Sequence, residues 1–178
     1  MFGSRYRSSF ALSVFLGVCF AVGACGVDDV PSSASSATQE LYRAQCQAAF
    51  DCKSSYDVAG HQSTFAATYG ASVSECTTNS IALMKAFYGA DYLTKLDASV
   101  ALGRISYDGS LYSTCEAELS DITCDELFAQ HGQKRPAPPE ACEMLIKGTV
   151  ANGGACTLEF DCADHDANCD GTTNLCTR

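Results

Sequence analysis

A chain that places ten cysteines between positions 46 and 176 can fold only in ways that bring those cysteines together in pairs. They are Cys46, Cys52, Cys76, Cys115, Cys124, Cys142, Cys156, Cys162, Cys169 and Cys176, with Cys19 and Cys25 standing apart near the start. No two are closer than five intervening residues, whereas zinc sites announce themselves by pairs two to four residues apart. Paired cysteines at this density belong to proteins that mature outside the reducing cytosol.

The first 25 residues agree. Arg5 and Arg7 form a positive start with no acid before Asp28, and an unbroken apolar run extends from Phe10 to Val22. Such a run, about 7–15 residues long and followed by small residues, reads as a secretory signal peptide. It is shorter than the roughly 20 residues that a membrane-spanning helix needs. Val22-Gly23-Ala24-Cys25 has the form of a bacterial lipobox, in which Cys25 takes a thioether-linked diacylglycerol; an ordinary signal-peptidase site is the other reading. Parity favours the first. Of twelve cysteines, Cys19 leaves with the signal, and if Cys25 carries lipid the remaining ten can all pair. Two or three acyl chains, at about 0.8 kcal/mol per buried methylene, anchor firmly. Gly26 to Ala37, small and polar, reads as a flexible tether.

Removing Arg5 and Arg7 from the 11 basic residues leaves nine against 21 acidic ones, a net charge of −12 for the mature chain. Without Lys/Arg clusters there is no footprint for nucleic acid or for an anionic lipid surface.

Beyond the tether the chain has two textures. Residues 38–147 read as a small, mainly α domain braced by disulfides. Ser36-x-x-Gln39 and Ser72-x-x-Glu75 have the form of capping boxes, and the second helix should stop at Gly89. Leu111, Cys115, Leu119 and Ile122 form an apolar stripe that Asp108 can cap, Thr123-x-x-Glu126 starts a further turn, and Cys142 falls on a short helix over 140–145. Residues 133–139 read as loop. Cys46, Cys76 and Cys115 fall on apolar stripes and Cys52, Cys124 and Cys142 near helix ends, which suits three bridges between helices, each contributing roughly 3 kcal/mol. The aromatic residues Tyr42, Phe50, Phe65, Tyr69, Phe87 and Tyr88 recur at helical spacing and read as core.

Residues 148–178 read differently, as a compact disulfide-rich module with little regular structure. Only Leu158, Phe160 and Leu175 are sizeable apolar residues there, so two disulfides must hold it. Four cysteines allow three connectivities, and spacing alone does not choose among them. The interleaved one, Cys156–Cys169 with Cys162–Cys176, is the expectation because it ties the most loop together.

Cys46-x5-Cys52, Tyr69-Gly70 ahead of Cys76, Tyr107-Asp108 ahead of Cys115, Cys124, Pro139-x-x-Cys142 and Gly148-Thr149-Val150-x-x-Gly153-Gly154-x-Cys156 form a series. It resembles the cysteine-rich predicted lipoproteins of myxobacterial type. Cys156-x5-Cys162-x6-Cys169-x6-Cys176 is similar to the Dickkopf N-terminal cysteine-rich module. The resemblance implies an envelope lipoprotein and a module scaffold; it carries over no catalytic residue, cofactor or signalling role.

No residue set reads as catalytic. Cysteine nucleophiles need a free thiolate beside a base, and the pairing accounts for the thiols. There is no G-x-S-x-G elbow, and His61, His131 and His165 lack recognisable partners. Asp166-x-Asn168-x-Asp170-Gly171 matches the first half of a calcium loop, but Thr177 stands where the bidentate Glu belongs.

The reading is therefore an exported envelope protein with a signal over 1–24, a lipidated Cys25 and tether over 25–37, and the two units over 38–147 and 148–178. Its expected role is a non-catalytic binding scaffold for a protein or glycan, in contact with the bilayer through Cys25. A calcium-stabilised adhesion module is the alternative, and a secreted enzyme comes third. Mass spectrometry of the protein from membranes should find acyl mass on the peptide beginning at Cys25 and five bridges. An unmodified Cys25 thiol would leave the signal standing and remove the anchor.

Overall fold

The structure, a computed structural model, describes residues 30–58, 63–128, 139–164 and 166–178. Helix α1 spans Ala34–Asp51 and is followed by two short helices, α2 (Lys53–Val58) and α3 (Phe65–Tyr69). The antiparallel return is α4 (Val73–Tyr88), and α5 (Tyr92–Ala101) leads into strand β1 (Ile105–Tyr107). After a 3-10 turn at Gly109–Leu111 come α6 (Tyr112–Ser120), α7 (Cys124–Leu127) and α8 (Glu140–Leu145). Strand β2 (Ile146–Gly148) pairs antiparallel with β1, setting Ile105 opposite Gly148 and Tyr107 opposite Ile146. The last stretch holds a 3-10 turn at Glu159–Asp161 and the two-residue strands β3 (Asn168–Cys169) and β4 (Cys176–Thr177). The fold is mainly α, and the strands are short.

The helix starts follow from their caps. Ser72 Oγ accepts the Glu75 N–H and Thr123 Oγ1 accepts the Glu126 N–H, each satisfying a donor that the first turn leaves free. Thr123 has the complete box, with Glu126 accepting its N–H at 3.0 Å; at Ser72 the Glu75 carboxylate reaches one residue further back, to the Ala71 N–H at 2.8 Å. Gly89, at φ 98°, ends α4.

Helix α1 begins earlier than Ser36-x-x-Gln39 predicts. Ser33 is the N-cap, Ser33 and Ser36 exchange backbone and hydroxyl hydrogen bonds, and the Gln39 amide donates to Ser35 O instead. Residues 34–37, expected as tether, are thus the first turn of α1. Ala34 and Ala37 are buried, and Ser35 donates both its N–H and its hydroxyl to Asp97 of α5. Small residues are what close helix packing needs, so the composition that reads as linker serves here as an interface.

Each of the ten cysteines between positions 46 and 176 is bridged. Cys46–Cys76 ties α1 to α4, Cys52–Cys124 ties the end of α1 to α7, and Cys115–Cys142 ties α6 to α8. In the last stretch the pairs are Cys156–Cys169 and Cys162–Cys176, the interleaved pattern. Among the described residues no helix is long and apolar enough to cross a membrane.

The C-terminal module does not hang free of the helices. Leu158, 2% exposed, packs with Ala34, Tyr92, Leu96 and Ile105, and Phe160 packs against the same cluster. The Thr149 N–H is shared between Arg104 O and Asp161 O, and a side chain at Gly148 would collide with the Cys162 carbonyl, its Cβ falling 2.1 Å from that oxygen. Asp161 is fully buried, its Oδ2 accepting the N–H groups of Thr157 and Leu158 at 2.7 and 3.2 Å. Two of the three sizeable apolar residues of a stretch too poor to build its own core are used for docking.

Leu158→Ala should therefore lower the unfolding free energy by about 3 kcal/mol in urea with the bridges intact. Leu175→Ala, at a side chain 36% exposed, should change it by less than about 0.5 kcal/mol. Equal effects of the two would contradict the docking role of Leu158.

Candidate functional site

Where the module meets the helices, a cavity of about 210 Å³ remains open. Helix α1 supplies Thr38, Leu41, Tyr42 and Gln45, a spacing of three, one and three that sets all four on one face. Tyr92 and Leu96 come from α5, Cys142 from α8, Ile146 from β2 and Phe160 from the docked turn. Tyr88 stands behind them, its ring stacked on Tyr92 at 5.4 Å and edge-on to Phe160 at 5.4 Å. Its hydroxyl donates to the Glu159 carboxylate in a short hydrogen bond.

The electrostatics follow from burial. Desolvation first, and then the facing hydroxyls of Tyr42 and Tyr88 and the Glu159 carboxylate, push the Tyr92 phenol far above the ordinary tyrosine value. Tyr88 rises likewise, through desolvation and its bond to Glu159, and burial raises Tyr42. These phenols stay protonated at any physiological pH, so each can donate or accept a hydrogen bond. Thr38 spends its hydroxyl proton on Ala34 O at 2.8 Å, and the Cys142 sulfur is bridged to Cys115. The cavity offers aromatic and aliphatic walls, phenol hydroxyls and one amide. That is equipment for recognition, and the size suits a single ring or side chain rather than the 300–1,000 Å³ typical of larger ligands.

The residues singled out from sequence lie elsewhere. Cys25, Cys19 and all three histidines fall outside the described residues. Asp170 accepts three hydrogen bonds on one oxygen, from the N–H groups of Thr173 and Thr172 at 2.7 and 2.8 Å and the Thr173 hydroxyl at 3.1 Å. Those backbone donors hold its carboxyl below the usual range. Asn168 sits in β3 opposite Thr177, and the Asp166 N–H donates to Asp164, which pairs with Arg178 at 2.8 Å. The half-motif for calcium is thus knitted into a turn. Among the described residues the one trio of possible metal-ligand atoms is Cys156, Cys162 and Cys176, whose sulfurs are all in disulfides.

The aromatic residues expected as core divide three ways. Phe50, Phe65 and Tyr69 do pack, with Tyr56 and Phe128, in a cluster near Cys52. Tyr88 packs on the core cluster of Ala34, Tyr92 and Leu96 and so backs the cavity, and Tyr42 lines the cavity itself. Phe87 is 73% exposed, which corrects its assignment to the core: among the described residues no element covers the α4 face it occupies. Tyr92 is marked in sequence only by Asp91 before it, a residue type favoured at helix starts whose side chain here makes no cap bond.

Compared with known proteins, the chain matches no protein-family model, no curated protein and no solved structure.

Raised phenol pKa values have a defined consequence. The stability that neutral Tyr88 and Tyr92 contribute is fully present below about pH 10, the unfolded value, and is lost as pH climbs toward their folded values. Absorbance titration of the mature protein near 295 nm should show two of its seven tyrosines, Tyr6 being lost with the signal, ionising last, together with unfolding. Ionisation of every tyrosine near pH 10 in a still-folded protein would refute this.

Proposed function

We propose that the protein is an exported, lipid-anchored envelope protein that acts as a non-catalytic binding scaffold, with the tyrosine-lined cavity receiving one ring or side chain of a protein or glycan partner. The observation that carries the reading is the cavity itself. It lies where Phe160 of the disulfide-bound module meets a face formed by α1, α5, α8 and β2. Five bridges suit a protein working in an oxidising compartment, and the signal-like start with Cys25 supports the anchor. Aromatic walls with hydroxyl groups at their tips are a common means of holding both sugar rings and peptide side chains.

Peptide and glycan arrays probed with the folded protein provide the test, followed by titration of any hit. Tyrosine fluorescence serves as the signal because the chain has no tryptophan. Tyr42→Ala and Gln45→Ala should each weaken a genuine ligand tenfold or more while circular dichroism stays unchanged. Undiminished binding in both variants would place the ligand elsewhere, and turnover of a hit would overturn the non-catalytic reading.

A further inference from the structure

Helix α4 is apolar on two sides. Met84 and Tyr88 pack inward on the cluster that holds Ala34, Tyr92 and Leu96. Leu83 and Phe87, one turn apart, face out and are 56% and 73% exposed, with Ala82 and Ala86 exposed beside them. The only charged residues of the helix are Glu75 and Lys85. A stripe of this kind on a mature chain of net charge −12 calls for an occupant.

The leader tells which. The fold takes hold of the chain at Pro31, whose carbonyl accepts the Tyr107 hydroxyl, and α1 is capped two residues later by Ser33. Only six residue steps separate Cys25 from Pro31, a reach of about 20 Å at full extension. A membrane anchor on Cys25 therefore holds the start of α1 within about 20 Å of the bilayer. The opposite end of this 18-residue helix lies about 27 Å further along its axis. Helices α1 and α4 are antiparallel, linked by Cys46–Cys76, so the last turn of α4 lies beside the first turn of α1, as Tyr88 against the Ala34 cluster shows. The exposed pair is at the tethered end.

We propose that Leu83 and Phe87 seat in the lipid bilayer to which Cys25 is anchored, so that the domain lies on the membrane with the Cys52–Cys124 end pointing away. This rests on the proposed acylation of Cys25. An uncharged stripe needs no anionic headgroups, consistent with an acidic chain that such headgroups would repel.

Phe87→Trp supplies a single tryptophan, excited apart from the tyrosines near 295 nm, and Leu83→Trp is the companion should the first misfold. The acylated protein is reconstituted in phosphatidylcholine vesicles with and without brominated lipid. Emission from Trp at 87 or 83 should shift to the blue and be quenched at least twofold by the brominated chains, while Ala66→Trp, on α3 at the far end, should stay water-like. An unquenched signal at both stripe positions in vesicle-bound protein overturns the proposal. So does a blue shift without vesicles accompanied by a dimer in sedimentation, which would make a second copy the occupant. Mass spectrometry separates the two readings: if the native protein carries no acyl group the anchor fails, and coupling a two-chain maleimide lipid to the Cys25 thiol still decides whether the stripe seats.

Discussion

Helix α1 is pinned covalently at two points, and the rest of the fold is arranged around it. Cys46 holds it to α4 and Cys52 holds it to α7, across sequence separations of 30 and 72 residues. Closing loops of that size restricts the unfolded chain by about 4 kcal/mol each in the chain-entropy view. A whole domain is stable by only about 5–15 kcal/mol, so two such links are a large share for a helical core split into small clusters. With α1 held, its remaining faces are free to receive α5 through Ser35 and Asp97, and to line the cavity through Thr38, Leu41, Tyr42 and Gln45.

The C-terminal module depends on the same helix. Its interior is made of half-cystines, with Cys156, Cys162 and Cys176 buried beside Ala167, and it has little else to bury. Leu158 and Phe160 are spent on the seam instead, against Ala34, Tyr92 and Leu96. The seam is where recognition is proposed, because burying Phe160 incompletely over Tyr92 and Tyr88 leaves a walled space. Stability and site are therefore coupled: whatever loosens Leu158 also opens the cavity.

Much of the helical layout is legible in the sequence because caps are local. Ser72, Asp108 and Thr123 each accept a hydrogen bond from an N–H two or three residues on, and that geometry is written in the neighbouring residues alone. Helix α5 carries no such mark, because Asp91 leaves its side chain out of the cap and pairs with Lys95 at 2.9 Å. The segment Ala34–Ala37 reads as tether because alanine and serine suit a solvated linker and a close helix contact equally well; only the presence of Asp97 opposite decides between them. For Phe87 and Met84 on one helix, periodicity shows two apolar stripes and cannot say which one meets another element.

What the sequence determined by itself is whatever depends on near neighbours or on counting: the cysteines that must pair, the helix caps, the change of texture at Gly148 and a leader with the form of a signal. The tertiary structure alone decided which half-cystines of the helical part meet, that the module is docked by Leu158 and Phe160, and that Tyr42, Tyr92 and Phe160 converge on one space. Those contacts join residues from 27 to about 120 positions apart. Their free energy comes from burying surfaces that touch only after the chain has closed on itself, and no local pattern records which distant surface will arrive.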